Sequence, residues 1–149
     1  MLAWSALLVA HRHLTTQLEA ELREHSDMTL DDYDVLYQLR RAGSPMRMSE
    51  LSEQVLISRP TTTRVVDRLV ARGWVGRQVD EHDRRVVRVE LTSAGRGAQR
   101  AAARRHMDGV ARLFGARLDD RQAVQIALAL ESVVAGTPEP TGEQRGEPM

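Results

Sequence analysis

The sequence predicts a mainly α-helical chain carrying one small β-hairpin. Three observations predict it. Apolar residues recur at three- and four-residue spacing through the first 70 or so positions. After Gly73 the period drops to two, with Val87, Val89 and Leu91 alternating with Arg88 and Glu90. Beyond Thr92 the helical period returns on an alanine-rich background. Aromatic residues make up only 3% of the chain, and the abundance of Leu, Val and Ala favours helix packing over a sheet sandwich.

The first helix runs to about His25, its apolar stripe formed by Trp4, Leu7, Leu8, Leu14, Leu18 and Leu22, with His11 on the same line. A terminal helix with so wide a stripe suits packing against a second chain. Thr29 caps the second helix, with Asp31 and Asp32 in its first turn, where the helix dipole favours acids. Its expected core face is Tyr33, Leu36, Tyr37 and Leu39, and it ends at Ala42-Gly43 before Ser44-Pro45. A short third helix starts near Met48 and turns Met48, Leu51 and Val55 inward. Ser58 caps the fourth, which holds Pro60 in its first turn, reaches about Arg72 and stops at Gly73.

Two β-like runs follow, Trp74–Val79 and Val86–Leu91, joined by the polar stretch Asp80–Arg85. Thr92 caps a fifth helix reaching about Ala116. Asp119 caps a sixth reaching Ala135, with Ala123, Ile126, Ala127, Leu130 and Val134 on one face. Residues 136–149 are rich in Pro, Gly, Glu and Thr and read as a disordered tail. The organisation expected is an N-terminal helix (1–28), a lobe with a basic helix at about 59–72 and a hairpin at about 74–91 (29–92), and C-terminal helices (93–135).

The 149 residues suit one domain with an extension, and the formal net charge is zero. The charge is unevenly spread. Residues 59–88 hold eight arginines against four acids, whereas residues 1–58 hold five against nine. One basic segment in a neutral chain is a localised anion-binding patch. There is no cysteine, which excludes disulfides, thiolate metal sites and a thiol redox sensor. The apolar run Ala6–Ala10 is too short to span a bilayer and reads as neither a membrane helix nor a signal peptide, so a cytoplasmic protein is expected.

Helix, short helix, turn, basic helix, hairpin is the order of a winged helix-turn-helix. On a helical wheel at about 100° per residue, Val65, Val66, Leu69 and Val70 cluster on one side of the fourth helix, with Thr62 beside them. Arg64 lies nearly opposite, flanked by Thr61 and Arg68 on one side and by Pro60 and Asp67 on the other. Arginine bonds guanine O6 and N7 in bidentate fashion, and threonine reaches phosphates or the thymine methyl. The candidate DNA-contacting residues of the helix are therefore Ser58, Arg59, Thr61, Thr62, Thr63, Arg64 and Arg68. In the hairpin they are Arg77, Asp83, Arg84 and Arg85; a guanidinium at the tip suits a narrow minor groove, and Asp83 is placed to aim one by an ion pair.

The histidines at 11, 13, 25, 82 and 106 show no metal-ligand spacing, and no phosphate loop or nucleophile motif is present. Neither a metal, a cofactor nor an enzymatic activity is expected. The alternative to DNA binding is a winged-helix protein-interaction module. Acidic replacements on the recognition face would favour it, and Asp67 is the one such residue there.

The chain resembles the MarR family (multiple antibiotic resistance regulators). The resemblance rests on Met48-Ser-Glu-Leu-Ser-Glu53, on Ser58-Arg-Pro-Thr-Thr-Thr-Arg-Val-Val-Asp-Arg-Leu-Val-Ala-Arg-Gly-Trp-Val75, and on Asp83-Arg-Arg-Val-Val-Arg-Val-Glu-Leu-Thr-Ser-Ala-Gly95. It implies a homodimer held by the first, fifth and sixth helices. It also implies a fourth helix in each major groove of a pseudo-palindromic operator and Arg84 or Arg85 in the flanking minor groove, as expected of a double-stranded-DNA-binding repressor. Many members of the family respond to small aromatic or anionic effectors. The residues expected to line such a site are Trp4, His11, Tyr33, Tyr37 and Phe114, with ordinary packing as the alternative for each.

Overall fold

The computed structural model describes residues 1–80 and 82–136. The chain divides into two compact units, Met1–Ala111 and the residues from Arg112 onward.

The first unit begins with α1 (Leu2–Ser26), closed by Asp27 in the left-handed conformation at φ 49°, which a short acidic side chain tolerates. α2 (Leu30–Ala42) starts with a reciprocal cap. Asp32 N–H donates to Thr29 Oγ1 at 3.0 Å, and Thr29 N–H donates to Asp32 Oδ2 at 3.0 Å. Its buried face is Asp32, Val35, Leu36 and Leu39. The expected face is thus rotated: Tyr33 is half-buried and Tyr37 is 44% exposed. The i, i+3, i+4, i+7 series that wins contains an acid, which aromatic and leucine spacing alone would never include.

β1 (Met46–Arg47) was not expected, because two residues show no period; it precedes α3 (Met48–Gln54) directly. α4 (Arg59–Ala71) leads through Gly73, at φ 71°, into β2 (Val75–Val79), which returns as β3 (Val87–Leu91). The antiparallel sheet has the order β1-β3-β2, with Met46 opposite Val89 and Val75 opposite Leu91. Alternation along β3 buries Val89 and Leu91 against a core of Leu36, Leu51, Val65, Val66 and Leu69.

α5 (Ser93–Leu113) is capped as expected, with Gly95 N–H donating to Thr92 Oγ1 at 3.0 Å. A β-carbon on Gly95 would lie 1.9 Å from the Trp74 carbonyl oxygen, so this glycine permits the helix to start against the head of β2. The helix ends short of Ala116, and Gly115–Arg117 forms a 3-10 turn instead. In the second unit, α6 (Asp120–Ala135) has the Asp119 cap, paired reciprocally with Gln122, and buries none of its residues within the chain. The tail expected from 136 onward lies outside the described residues except for Gly136, the C-cap of α6. Among the described residues no helix is long and apolar enough to cross a membrane.

Two arginines tie α4 to the α1–α2 corner. Arg68 donates to Asp32 Oδ1 from Nε at 3.0 Å and from Nη2 at 2.6 Å, and the Asp32 side chain is only 2% exposed. Arg72 donates to the Asp27 carbonyl at 2.6 Å and lies over the Trp74 ring at 3.9 Å. Leaving a buried acceptor without its partner costs about 1–3 kcal/mol, whereas a typical exposed substitution stays within about 0.5 kcal/mol. Arg68 is itself 46% exposed, so Arg68→Ala should lower unfolding stability by an amount in that range in urea titrations, while Arg64→Ala on the same helix leaves it nearly unchanged.

Candidate nucleic-acid interface

α4 is positioned by local chemistry at its start. Thr61 N–H donates to Ser58 Oγ at 3.4 Å, and Pro60 occupies the first turn, where its missing N–H leaves no gap. Thr62, Val65, Val66 and Leu69 then face the core. Arg59, Thr63, Arg64, Asp67 and Arg68 face solvent, and Thr61 is half-buried.

Thr62 departs from the expected DNA-contacting set. Thr62 is 0% exposed and its hydroxyl donates to the Ser58 carbonyl at 3.0 Å, so it packs the helix instead of reading a groove. Its place beside the valine stripe was the signal for this. Arg68 is committed to Asp32 through both Nε and Nη2. Arg77 is exposed but ion-paired with Asp67 at 2.7 Å.

Ion pairs thus engage Arg68, Arg72, Arg77 and Arg88. The exposed guanidiniums of Arg59, Arg64, Arg84 and Arg85 lie outside those pairs. Between α4 and the hairpin lies a groove of about 460 Å³, lined by Arg47, Arg59, Arg77 and Arg85 together with Thr63 and Ser49. Four separate parts of the chain contribute those guanidiniums: β1, α4, β2 and the hairpin loop. Arg47 was missed because β1 was missed. Pairing of β1 with the β3 edge is what brings it to the groove.

The hairpin loop is organised by two aspartates. Asp80 accepts from Arg88 Nε at 2.9 Å and from the His82 and Asp83 N–H groups at 3.0 and 3.3 Å. The Arg88 bond first, and then the backbone donors, hold the Asp80 carboxyl down at about 2. Asp83 does not aim an arginine by an ion pair; it accepts from the Arg85 backbone N–H at 2.9 Å and so bends the chain at the doubly basic tip.

A second cavity, of about 500 Å³, lies within the first unit beside α2. Of the five residues expected to line an effector site, it brings together His11 and Tyr33. Trp4 is 59% exposed, Phe114 is exposed in the second unit, and neither lines it. Tyr37 also stays outside the lining, stacked on Tyr33 with centroids 6.3 Å apart. His106 was missed. Its ring lies 4.4 Å from that of Tyr33, and burial lowers its pKa, favouring the neutral form. The signal was its apolar helical neighbourhood on α5. Glu19, Asp31 and Asp34 supply the acidic part of the wall.

The model of the MarR family matches residues 28–87, which contain α2 to the start of β3. The HTH-type transcriptional regulator PecS of Dickeya dadantii (strain 3937) is 38% identical over 66 residues, spanning 43% of this chain and 40% of PecS. The matched region thus spans under half the length of that curated relative. Among solved structures, AbsC of Streptomyces coelicolor, a MarR family transcriptional regulator, aligns at 30% identity with a TM-score of 0.82, covering 89% of this chain and 90% of AbsC. Sco3205 of the same organism, solved in complex with DNA, aligns at 29% identity with a TM-score of 0.85, covering 94% of this chain and 88% of Sco3205. Family match, fold and near-complete mutual coverage agree: the chain belongs to the MarR family.

Proposed function

We propose that the chain is a homodimeric repressor that reads a pseudo-palindromic operator in double-stranded DNA and is released by a small effector. One observation carries this reading: the exposed face of α4 and the hairpin tip hold Arg59, Arg64, Arg84 and Arg85 outside the ion pairs that engage their neighbours. α4 enters the major groove with Arg64 at the centre of its outer face. Arg84 or Arg85 enters the flanking minor groove, and the arginine-lined groove between them holds phosphate. The DNA complex of Sco3205 supports it by similarity.

The dimer is supported by apolar surface that a single chain leaves uncovered. Trp4, Leu7, Leu8 and Val9 are exposed on α1, and Val124, Leu128, Val133 and Val134 on α6. Surfaces of this kind mark interfaces. The cavity beside α2 is the effector site, and Asp34 links it to the DNA-binding helix, since Leu56 N–H donates to Asp34 Oδ2 at 2.9 Å two residues before the Ser58 cap.

In gel shifts against an operator selected from random duplexes, Arg64→Ala should cost about 1–3 kcal/mol and relax specificity at one base pair. Arg84→Ala combined with Arg85→Ala should instead weaken binding to all duplexes and lower the salt slope by about 1–2. Sedimentation should show a dimer for the unaltered chain and a monomer for Leu130→Arg, which places a charge on the exposed apolar face of α6. Asp80→Asn should disorder the hairpin tip and weaken DNA binding at neutral pH. Because folding lowers the Asp80 pKa from 3.8 to about 2, its stabilisation is complete above the unfolded value and is lost as pH falls toward about 2. Titration of Asp80 therefore contributes nothing to any change in DNA affinity between about pH 5 and 8.

A further inference from the structure

The cavity beside α2 has a size suited to a small organic molecule, which ordinarily occupies about 300–1,000 Å³. Its walls are Leu18, Leu30, Leu56 and Ile57, with the Tyr33 ring as an aromatic surface. Its charged lining is one-sided: Glu19, Asp31 and Asp34 face it, and no arginine does. Glu19 is partly neutralised, since Arg23 Nη2 lies 2.8 Å from its Oε1 and Leu30 N–H donates to its Oε2 at 3.2 Å. Asp34 accepts from Leu56 N–H and Gln38 Nε2, both neutral donors. The Asp31 pKa is raised, first by burial and then by the nearby Glu19, with Arg68 opposing only in part.

The two histidines in the wall, His11 and His106, come from α1 and α5. His106 Nδ1 is buried without a hydrogen-bond partner among the described residues. The polar groups do not converge on a metal: among the described residues no three His, Asp or Glu side chains gather closely enough to hold one.

We propose that this cavity takes an organic cation, a flat apolar body bearing an ammonium- or amidinium-type group. This inference rests on reading the cavity as the effector site and fixes the chemical class. The apolar body stacks on Tyr33 between Leu18, Leu30 and Ile57. The charged N–H groups reach Asp31 and Asp34. Occupancy also has a route to α4. Asp34 holds the Leu56 N–H of the α3–α4 turn, and a cation bound to Asp34 competes for that carboxylate and loosens the approach to Ser58. An anionic effector meets the Asp31 and Asp34 carboxylates and is disfavoured.

The test uses shape-matched probes of opposite charge on the full chain at about pH 7, where both carry their charge. The pairs are benzamidine with benzoate, and 2-naphthamidine with 2-naphthoate. Calorimetry should show binding of an amidine at least tenfold tighter than its matched carboxylate. Asp31→Asn and Asp34→Asn should each remove most of that preference, and gel shifts should show the amidine releasing DNA from the unaltered chain but not from Asp34→Asn. A carboxylate binding as tightly as its amidine, with binding lost in Tyr33→Ala, overturns the cationic class and leaves the effector site standing. Amidine binding that survives both Asn variants overturns the assigned carboxylates. If no member of either pair binds, the effector reading falls together with the cation.

Discussion

A carboxylate buried in the helical lobe has to be neutralised, and the way Asp32 meets that requirement orients α4. One oxygen accepts the Thr29 N–H that caps α2, and the other is held by two nitrogens of Arg68. A charge enclosed this completely is tolerated only with a good ion-pair partner and satisfied hydrogen bonds. Two nitrogens converging on one oxygen fix direction as well as distance, so α4 has one preferred rotation against α2. Arg72 repeats the connection one turn later, at Asp27 and over Trp74. The outer face of α4 is therefore presented by contacts made on its flank.

The hairpin is fixed from the other side. Thr92 donates its hydroxyl to the Gly73 carbonyl at 2.7 Å while capping α5, and Gly95 lets that helix begin directly over Trp74. The sheet then carries Arg47, Arg77 and the hairpin tip to the edge of α4, and Asp80 shapes the loop between. Acids of the basic segment thus do structural work: Asp67 engages Arg77 and Asp80 engages Arg88, so the arginines left exposed are fewer than the local charge excess suggests.

Much of this was legible in the sequence because it depends on local chemistry. The caps at Thr29, Ser58, Thr92 and Asp119, the breaks at Gly43 and Gly73, and the alternation in β3 all sit where short-range patterns put them. What escaped depends on partners distant in sequence. β1 exists only because Met46 and Arg47 pair with Val89 and Arg88, and a two-residue strand has no pattern of its own. The partner of Arg68 escaped too, because a helical wheel shows that Arg68 is exposed but not that Asp32, 36 positions earlier, receives it. His106 and the three carboxylates of the cavity come from α1, α2 and α5, so nothing in their spacing marks them as neighbours.

The central claim is that α4 and the hairpin tip read adjacent grooves of one duplex, in two copies. Hydroxyl-radical footprinting tests it most directly, on duplexes that the full chain selects from a random library. A sequence with two-fold symmetry should be selected. Two protected half-sites should lie about one helical turn apart, ~34 Å, with further protection in the minor groove on the outer side of each. Selection that converges on no symmetric sequence, or a footprint lacking the outer minor-groove protection, would contradict it.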